Sequence, residues 1–160
     1  MSSPELLRET LREVLYGPPT TFGLSRFEAG GSLFSAPDAG LLRVAHAFTP
    51  AQALAPAAPG RPSAAQIVLH ICQHLEHVSA VLHDPYALRP DEPEAWEVTL
   101  TPDQWQGTLV RLARAGQGLY DALYRPLTPE MLRMAHGGIV HAASHAGALH
   151  FHLRNVQVGE

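Results

Sequence analysis

The sequence predicts an all-α protein, a bundle of four long helices joined by one or two long crossover connections. Apolar residues recur at helical spacing in four separate segments, capping residues precede several of these segments, and proline or glycine ends them. A chain of 160 residues suits a single domain that spans residues 1–160. It is long enough to bury a core without help from a metal or a disulfide.

The first predicted helix is SPELLRETLREVLYG, in which Ser3 is the expected N-cap and Pro4 occupies the first helical position. Its leucines repeat at helical spacing until a Gly-Pro-Pro sequence ends the helix. Residues 18–40 are rich in Gly, Pro and Ser and could be a loop or a broken helix. A further helical piece is predicted from Pro37, with TPAQAL following it.

The second long helix, SAAQIVLHICQHLEHVSAVLHD, is predicted to follow an N-cap at Ser63 and to end near Pro85. Three prolines in PYALRPDEPEAWEVTL exclude a continuous helix there, so that segment is a connection. Thr101 is the expected N-cap of the third helix, which runs to Pro126. The fourth long helix is predicted from about Gly138, after a short capped turn in LTPEM.

Charge and composition exclude several classes of protein. Eleven basic and fifteen acidic residues give a net charge of −4, without the clustered Lys/Arg stripe that nucleic-acid binding requires. A single cysteine excludes an intramolecular disulfide, and the charged, amphipathic N-terminus differs from an apolar signal segment. No apolar run approaches the roughly 20 residues of a membrane span. We therefore expect a soluble, cytoplasmic protein that binds neither nucleic acid nor a membrane.

Clustered histidines are the main functional signal. Four of the ten lie between His70 and His83, and five lie between His136 and His152. On a helix, the spacing of His141 and His145 puts both rings on one face, from which two imidazoles can chelate one ion. The second helix offers His70 as a third ligand. On the spacing alone, surface or core imidazoles that are hydrogen-bonded and inert are the more common explanation.

Two segments resemble the DinB family, also known as the DinB/YfiT-like metalloenzymes. In PSAAQIVLHICQHLEH, Ser63 precedes His70 by seven residues, as a serine precedes a metal-binding histidine in that family. GIVHAASHAGALHFHLR is similar to the family's final helix, in which an H-x-x-x-H pair is followed by Gly and by an apolar stretch ending in Leu-Arg. The segment EAWEVTLTPDQWQGTLVRL is similar to its tryptophan-containing crossover and third helix, so that the resemblance spans most of residues 1–156.

This resemblance implies a DinB/YfiT-like four-helix bundle with a long first crossover, usually as a homodimer. It also implies that His70, His141 and His145 bind a divalent metal ion such as nickel, zinc or iron. Some members are transferases or isomerases that use low-molecular-weight thiols. The chain departs from the family pattern at Pro62, where a bulky aromatic residue often precedes the serine, and at Ala148, where a glutamine commonly follows the glycine. The second departure removes a polar group that could have oriented a ligand.

Two classes of function follow from these residues. One is a metal-dependent enzyme, either a small-thiol S-transferase or a hydrolase. The other is a non-catalytic metal-binding bundle, or a stress-related structural or interaction protein. His74 is the candidate catalytic residue, because its reference pKa of about 6.5 suits proton transfer. It could equally be a fourth ligand, an outer group that contacts the ligands, or a surface histidine.

Other conspicuous residues are expected to lie outside the site. Cys72 should face away from His70 and behave as a small buried hydrophobe. Trp96 and Trp105 could line a pocket mouth or simply pack in the core or an interface.

Gly116 and Gly118 weaken the third helix and therefore indicate close packing against a neighbour. The remaining histidines are expected to be solvated or too distant to share the ion, namely His46, His83, His136, His150 and His152.

Overall fold

The structure is a computed structural model that describes residues 2–18 and 39–158. Within these two ranges the chain forms six α-helices and one turn of 3-10 helix, and it contains no strand. The helices are α1 (Ser3–Tyr16), α2 (Leu41–Ala47), α3 (Pro50–Leu54), α4 (Ala64–His83), α5 (Pro102–Ala122) and α6 (Pro129–Val158), with the 3-10 turn at Ala95–Glu97. The all-α prediction is confirmed for these residues. The predicted start of a helical piece at Pro37 and most of the Gly/Pro/Ser-rich segment lie outside them.

Local capping determines where three of the long helices begin. The hydroxyl of Ser63 accepts a hydrogen bond from the backbone N–H of Gln66 at 3.2 Å, and Thr101 caps α5 in the same way. Both starts agree with the sequence prediction. In α1 the N-cap is Ser2 rather than Ser3, because the Glu5 carboxylate accepts the backbone N–H of Ser2 at 2.6 Å.

The start of the last long helix was predicted wrongly. α6 begins at Pro129 and continues for 30 residues, instead of beginning near Gly138. Thr128 accepts a hydrogen bond from the backbone N–H of Met131, and Pro129 needs no N–H partner in the first turn. Gly138 lies inside this helix, where the lack of a side chain leaves room for a residue of α4. A Cβ atom at this position would lie 3.0 Å from Cγ2 of Val78. Helix α6 therefore passes close to α4 at this point.

The long helices share one buried core. Helix α4 packs against both α5 and α6, and α1 packs against α6, α2 and α5. Gly116 confirms the close packing that its sequence position indicated, because a Cβ atom there would lie 2.9 Å from the methyl groups of Leu15. The largest fully buried side chains include Trp105, Leu11, Leu15, Leu41, Ile71, Leu75, Leu112, Leu119, Ile139 and Leu149.

None of the helices that the structure describes is both long enough and apolar enough to cross a membrane.

The connection between α4 and α5 is tied to the helices by polar side chains. Arg111 of α5 donates two hydrogen bonds to the Glu76 carboxylate of α4, at 2.8 and 2.6 Å. It donates two more to Glu92 of the connection, at 3.1 and 2.8 Å. These charge-assisted bonds hold the connection against α4 and α5.

Candidate metal centre

Three histidines from two helices meet between α4 and α6. His70 lies near the middle of α4, while His141 and His145 lie one helical turn apart on α6. Each residue offers one ring nitrogen, and these three nitrogens all lie within 4.8 Å of one another. All three residues are half-buried. The structure thus brings together the three side chains that the sequence singled out, and their arrangement is compatible with binding of a divalent metal.

Within the cluster, the Nε2 atoms of His70 and His141 are 2.9 Å apart. Zinc–nitrogen bonds are about 2.0–2.1 Å long, so two imidazoles on one ion have nitrogens about 2.9 Å apart at a right angle and about 3.4 Å apart in a tetrahedron. The observed separation lies at the lower end of this range. Without an ion, the same distance is a hydrogen bond in which one neutral imidazole donates to the other.

The three imidazole rings are inclined to one another rather than stacked face to face. His141 and His145 have centroids 4.5 Å apart and planes inclined at 73°. His70 meets His145 edge-on, with centroids 5.1 Å apart and an angle of 79°. Inclined rings can direct their in-plane lone pairs toward a common point, which face-to-face stacked rings cannot do.

Burial keeps these imidazoles neutral. Desolvation lowers the pKa of His70, and the neighbouring His141 lowers it further. Desolvation also lowers the pKa of His141, and it lowers that of His145 to about 4, with smaller contributions from His141 and His70. A metal ligand must be the unprotonated imidazole. The three side chains are therefore in the ligand form at neutral pH.

His74 lies next to this cluster but outside it. Its ring centroid is 4.2 Å from that of His141, with the planes inclined at 36°. The three-nitrogen cluster comprises His70, His141 and His145 and leaves His74 out. Burial lowers the pKa of His74 to about 4, with the neighbouring histidines adding to the effect. His74 is therefore a neutral imidazole beside the cluster that can accept a hydrogen bond, and it is a weaker base than the reference pKa of about 6.5 implied.

Trp96 covers one side of His70. Its ring centroid lies 4.6 Å from that of His70, with the planes inclined at 33°, and 43% of the residue remains exposed. Trp105, in contrast, is fully buried in the core. The two tryptophans therefore differ in position. Trp96 lies at the histidine cluster, whereas Trp105 packs in the core.

Two glutamines that the sequence analysis did not single out hold Trp96 in place. Gln66 donates from Nε2 to the carbonyl oxygens of Trp96 and Val98, at 3.2 and 3.1 Å. Gln73 donates to the Pro93 carbonyl at 2.8 Å and accepts the Ala95 backbone N–H at 3.2 Å. Their positions in the sequence could have indicated that they lie near the site. Gln66 is four residues before His70 and Gln73 is three residues after it, so both share its face of α4.

The charged groups around the cluster are carried by the same connection. Glu94 accepts a hydrogen bond from Arg89 at 3.0 Å, and both side chains are about half exposed. Among the charges that act on the pKa of His70, Glu94 raises it and Arg89 lowers it. Neither belongs to the three-nitrogen cluster. The candidate ligand set is therefore neutral, and a bound divalent cation would keep its charge and favour an anionic ligand.

The structure also places the residues that were expected to lie outside the site. Cys72 is fully buried, and burial raises the pKa of its thiol to about 12, so it is not a nucleophile. His152 is half-buried and packs edge-on against Phe48, with centroids 5.4 Å apart. His46, His83 and His136 are exposed, as the sequence predicted, whereas His150 is half-buried.

Comparisons with models of protein families, with curated proteins and with solved structures find no match for this chain. The DinB resemblance therefore rests on the sequence motifs quoted above.

Proposed function

We propose that this protein is a DinB-like metal-binding bundle in which His70, His141 and His145 hold one divalent metal ion. The observation that carries the proposal is the convergence of three ring nitrogens within 4.8 Å from helices that are far apart in the sequence. In this reading the long helices α1, α4, α5 and α6 form the four-helix bundle, and the two short helices belong to the crossover that joins α1 to α4. Nickel, zinc and iron are the candidate ions, because imidazole suits all three.

We further propose that the site is catalytic, as a small-thiol S-transferase or a hydrolase. Three protein ligands leave at least one coordination position for a small molecule. A divalent ion held there would supply Lewis acidity and lower the pKa of a thiol or hydroxyl group bound to it. The chain's own contribution is to orient the three imidazoles, to shield them partly from solvent, and to place the His74 ring beside the cluster as the candidate proton acceptor. The lowered pKa of His74 makes it a weaker base than an unperturbed histidine.

Transfer of a thiol is the preferred reaction, for a reason of charge. In that reaction the thiol sulfur forms a bond to an electrophilic carbon, the leaving group departs with its electron pair, and the thiol proton passes to a base. A neutral ligand set leaves the positive charge of the ion available to stabilise a thiolate. Hydrolysis usually relies on a carboxylate base beside the metal. Among the described residues no carboxylate belongs to the three-nitrogen cluster, and Glu94, which acts on the pKa of His70, is paired with Arg89.

The test is turnover by protein loaded separately with nickel, zinc or iron. A low-molecular-weight thiol with an activated aryl halide tests transfer, and an activated ester without thiol tests hydrolysis. Metal-dependent turnover that His74→Ala lowers and the exposed His83→Ala leaves unchanged supports the enzyme. Tight metal binding with every coordination position filled by protein, and no turnover, supports the non-catalytic alternative instead.

We also propose that the protein is a homodimer that pairs through α6. Val140 and Phe151 are 52% and 70% exposed on one face of this helix. On the same face, no described residue lies within 4 Å of where a Cβ atom would be at Gly137 or Gly147, so a second helix can approach closely. Sedimentation should show a dimer at micromolar concentration, which Phe151→Glu disrupts and Val110→Glu on the exposed face of α5 does not. A monomeric wild-type protein would reject this pairing.

A further inference from the structure

The ring of His70 lacks the support that usually orients a metal-binding histidine. Such a ring ordinarily donates its second nitrogen to a carboxylate, a carbonyl or a water molecule, which fixes the ring plane. Nδ1 of His70 is buried and has no hydrogen-bond partner among the residues that the structure describes. If Nε2 binds the ion, another contact must hold the ring.

Trp96 makes the contact that can do this. Its ring covers the His70 imidazole at a centroid distance of 4.6 Å and an angle of 33°. The cluster itself supplies only edge contacts to His70, at 61° from His141 and 79° from His145. The indole is therefore the one neighbouring ring, within the described residues, that lies over the face of the His70 imidazole.

The position of Trp96 is fixed by the helix that carries His70. Gln66 and Gln73 lie on either side of His70 along α4, and their side chains bind the backbone on both sides of Trp96. Ala95, the residue before Trp96, is fully buried. Although 43% of the residue is exposed, the backbone of Trp96 is thus anchored beside the helix that carries His70.

We propose that Trp96 is a positioning residue for the metal centre, which fixes the plane of the His70 imidazole and so aims Nε2 at the ion. This inference rests on the proposed metal site. It assigns to an aromatic face the role that a hydrogen-bonded carboxylate or carbonyl plays at other histidine ligands. Losing such a partner typically lowers metal affinity about 10- to 100-fold.

Co²⁺ titration of the untagged full-length chain tests the proposal, with the visible absorption of the bound ion as the readout. Trp96→Phe keeps an aromatic face and should bind Co²⁺ as wild type does, within about threefold. Trp96→Leu keeps apolar bulk without a ring, and should bind about 10- to 100-fold more weakly. Tyr86→Ala, which removes an 88% exposed aromatic residue from the same connection, is the matched control and should bind normally.

Two further measurements separate a positioning role from a structural one. The melting temperature of the metal-free Trp96→Leu variant should stay within a few degrees of wild type, and the absorption spectrum of its bound Co²⁺ should shift because the geometry at His70 has changed. If Trp96→Leu does not fold, Trp96→Met replaces it.

Equal Co²⁺ affinity and identical spectra in wild type and Trp96→Leu would overturn the inference. Failure of the wild-type protein to bind Co²⁺ would instead count against the metal site itself.

Discussion

The Nε2 atoms of His70 and His141 lie 2.9 Å apart, although the two residues are 71 positions apart in the sequence. The approach of α4 to α6 at Gly138 and Val78 helps to bring these side chains together. Two neutral imidazoles at this distance satisfy each other through one hydrogen bond, or they share an ion. The half-buried third imidazole of His145 turns the pair into a candidate three-ligand site.

Removing one candidate ligand should weaken metal binding more than removing its neighbour. We expect His70→Ala to lower the affinity for Zn²⁺ or Ni²⁺ by more than about 100-fold, because loss of a mere outer partner already costs about 10- to 100-fold. His74→Ala should cost less than about tenfold, since His74 lies outside the three-nitrogen cluster. Competition with a chelator of known affinity measures both. A larger loss for His74→Ala than for His70→Ala would contradict this ligand set.

The metal-free protein should lose stability in mild acid. His74 and His145 have a pKa of about 4 in the folded protein, against 6.5 for an unperturbed histidine. Between these values the unfolded chain binds more protons than the folded chain, so the free energy of unfolding falls as the pH is lowered from about 6.5 toward 4.

Chemical denaturation at pH 7.0, 6.0 and 5.0 in the presence of a chelator measures this slope. A variant with both His74→Asn and His145→Asn should have a flatter profile, because two of the titrating groups are gone. A stability that stays constant or rises as the pH falls from 7 to 5 would contradict the burial of neutral imidazoles.

Two glycines of α5 should respond oppositely to alanine. Among the described residues, Gly107 has no neighbour within 4 Å of where a Cβ atom would lie, so Gly107→Ala should stabilise the protein by about 0.5–1 kcal/mol through helix propensity. At Gly116 the Cβ atom would lie 2.9 Å from both methyl groups of the buried Leu15, and Gly116→Ala should destabilise by about 1–3 kcal/mol through overpacking. Urea denaturation of the two variants provides the comparison, and stabilisation by both would show that α1 and α5 pack less closely.

The parts of the fold that depend on local chemistry could be predicted from the sequence. Ser63 and Thr101 mark the beginnings of α4 and α5, because a cap acts on backbone N–H groups only two or three residues away. The facing of Cys72 away from His70 likewise follows from the helical period alone. The beginning of α6 carries the same kind of local signal, a cap at Thr128 followed by Pro129, but the prediction ended that capped turn before Gly138. The place of Gly138 inside the helix depends on its contact with Val78 of another helix, about which a local pattern contains no information.

The candidate site likewise has features that could be predicted from local sequence and features that could not. The pairing of His141 with His145 follows from a spacing of one helical turn, and His70 could be proposed as a third ligand from the second helix. The resemblance to the DinB family was needed to prefer a metal site over inert imidazoles. The contact of Trp96 with His70 could not be predicted, because it depends on how the connection between α4 and α5 folds back. Gln66 and Gln73 help to determine that path through long-range hydrogen bonds to backbone carbonyls. Every residue has a backbone carbonyl, so the sequence does not indicate which ones will accept these bonds.

Metal content is the most direct test of the central claim. Elemental analysis should be made on protein purified without an affinity tag and reconstituted with Ni²⁺, Zn²⁺ or Fe²⁺, for the wild type and for two double variants. His141→Ala with His145→Ala removes two candidate ligands, whereas His46→Ala with His136→Ala removes two exposed histidines and serves as the matched control. A three-histidine site predicts about one ion per chain in the wild type and in the control, and none in the ligand variant. No ion in any of the three proteins, or the same content in all three, would contradict a metal centre at His70, His141 and His145.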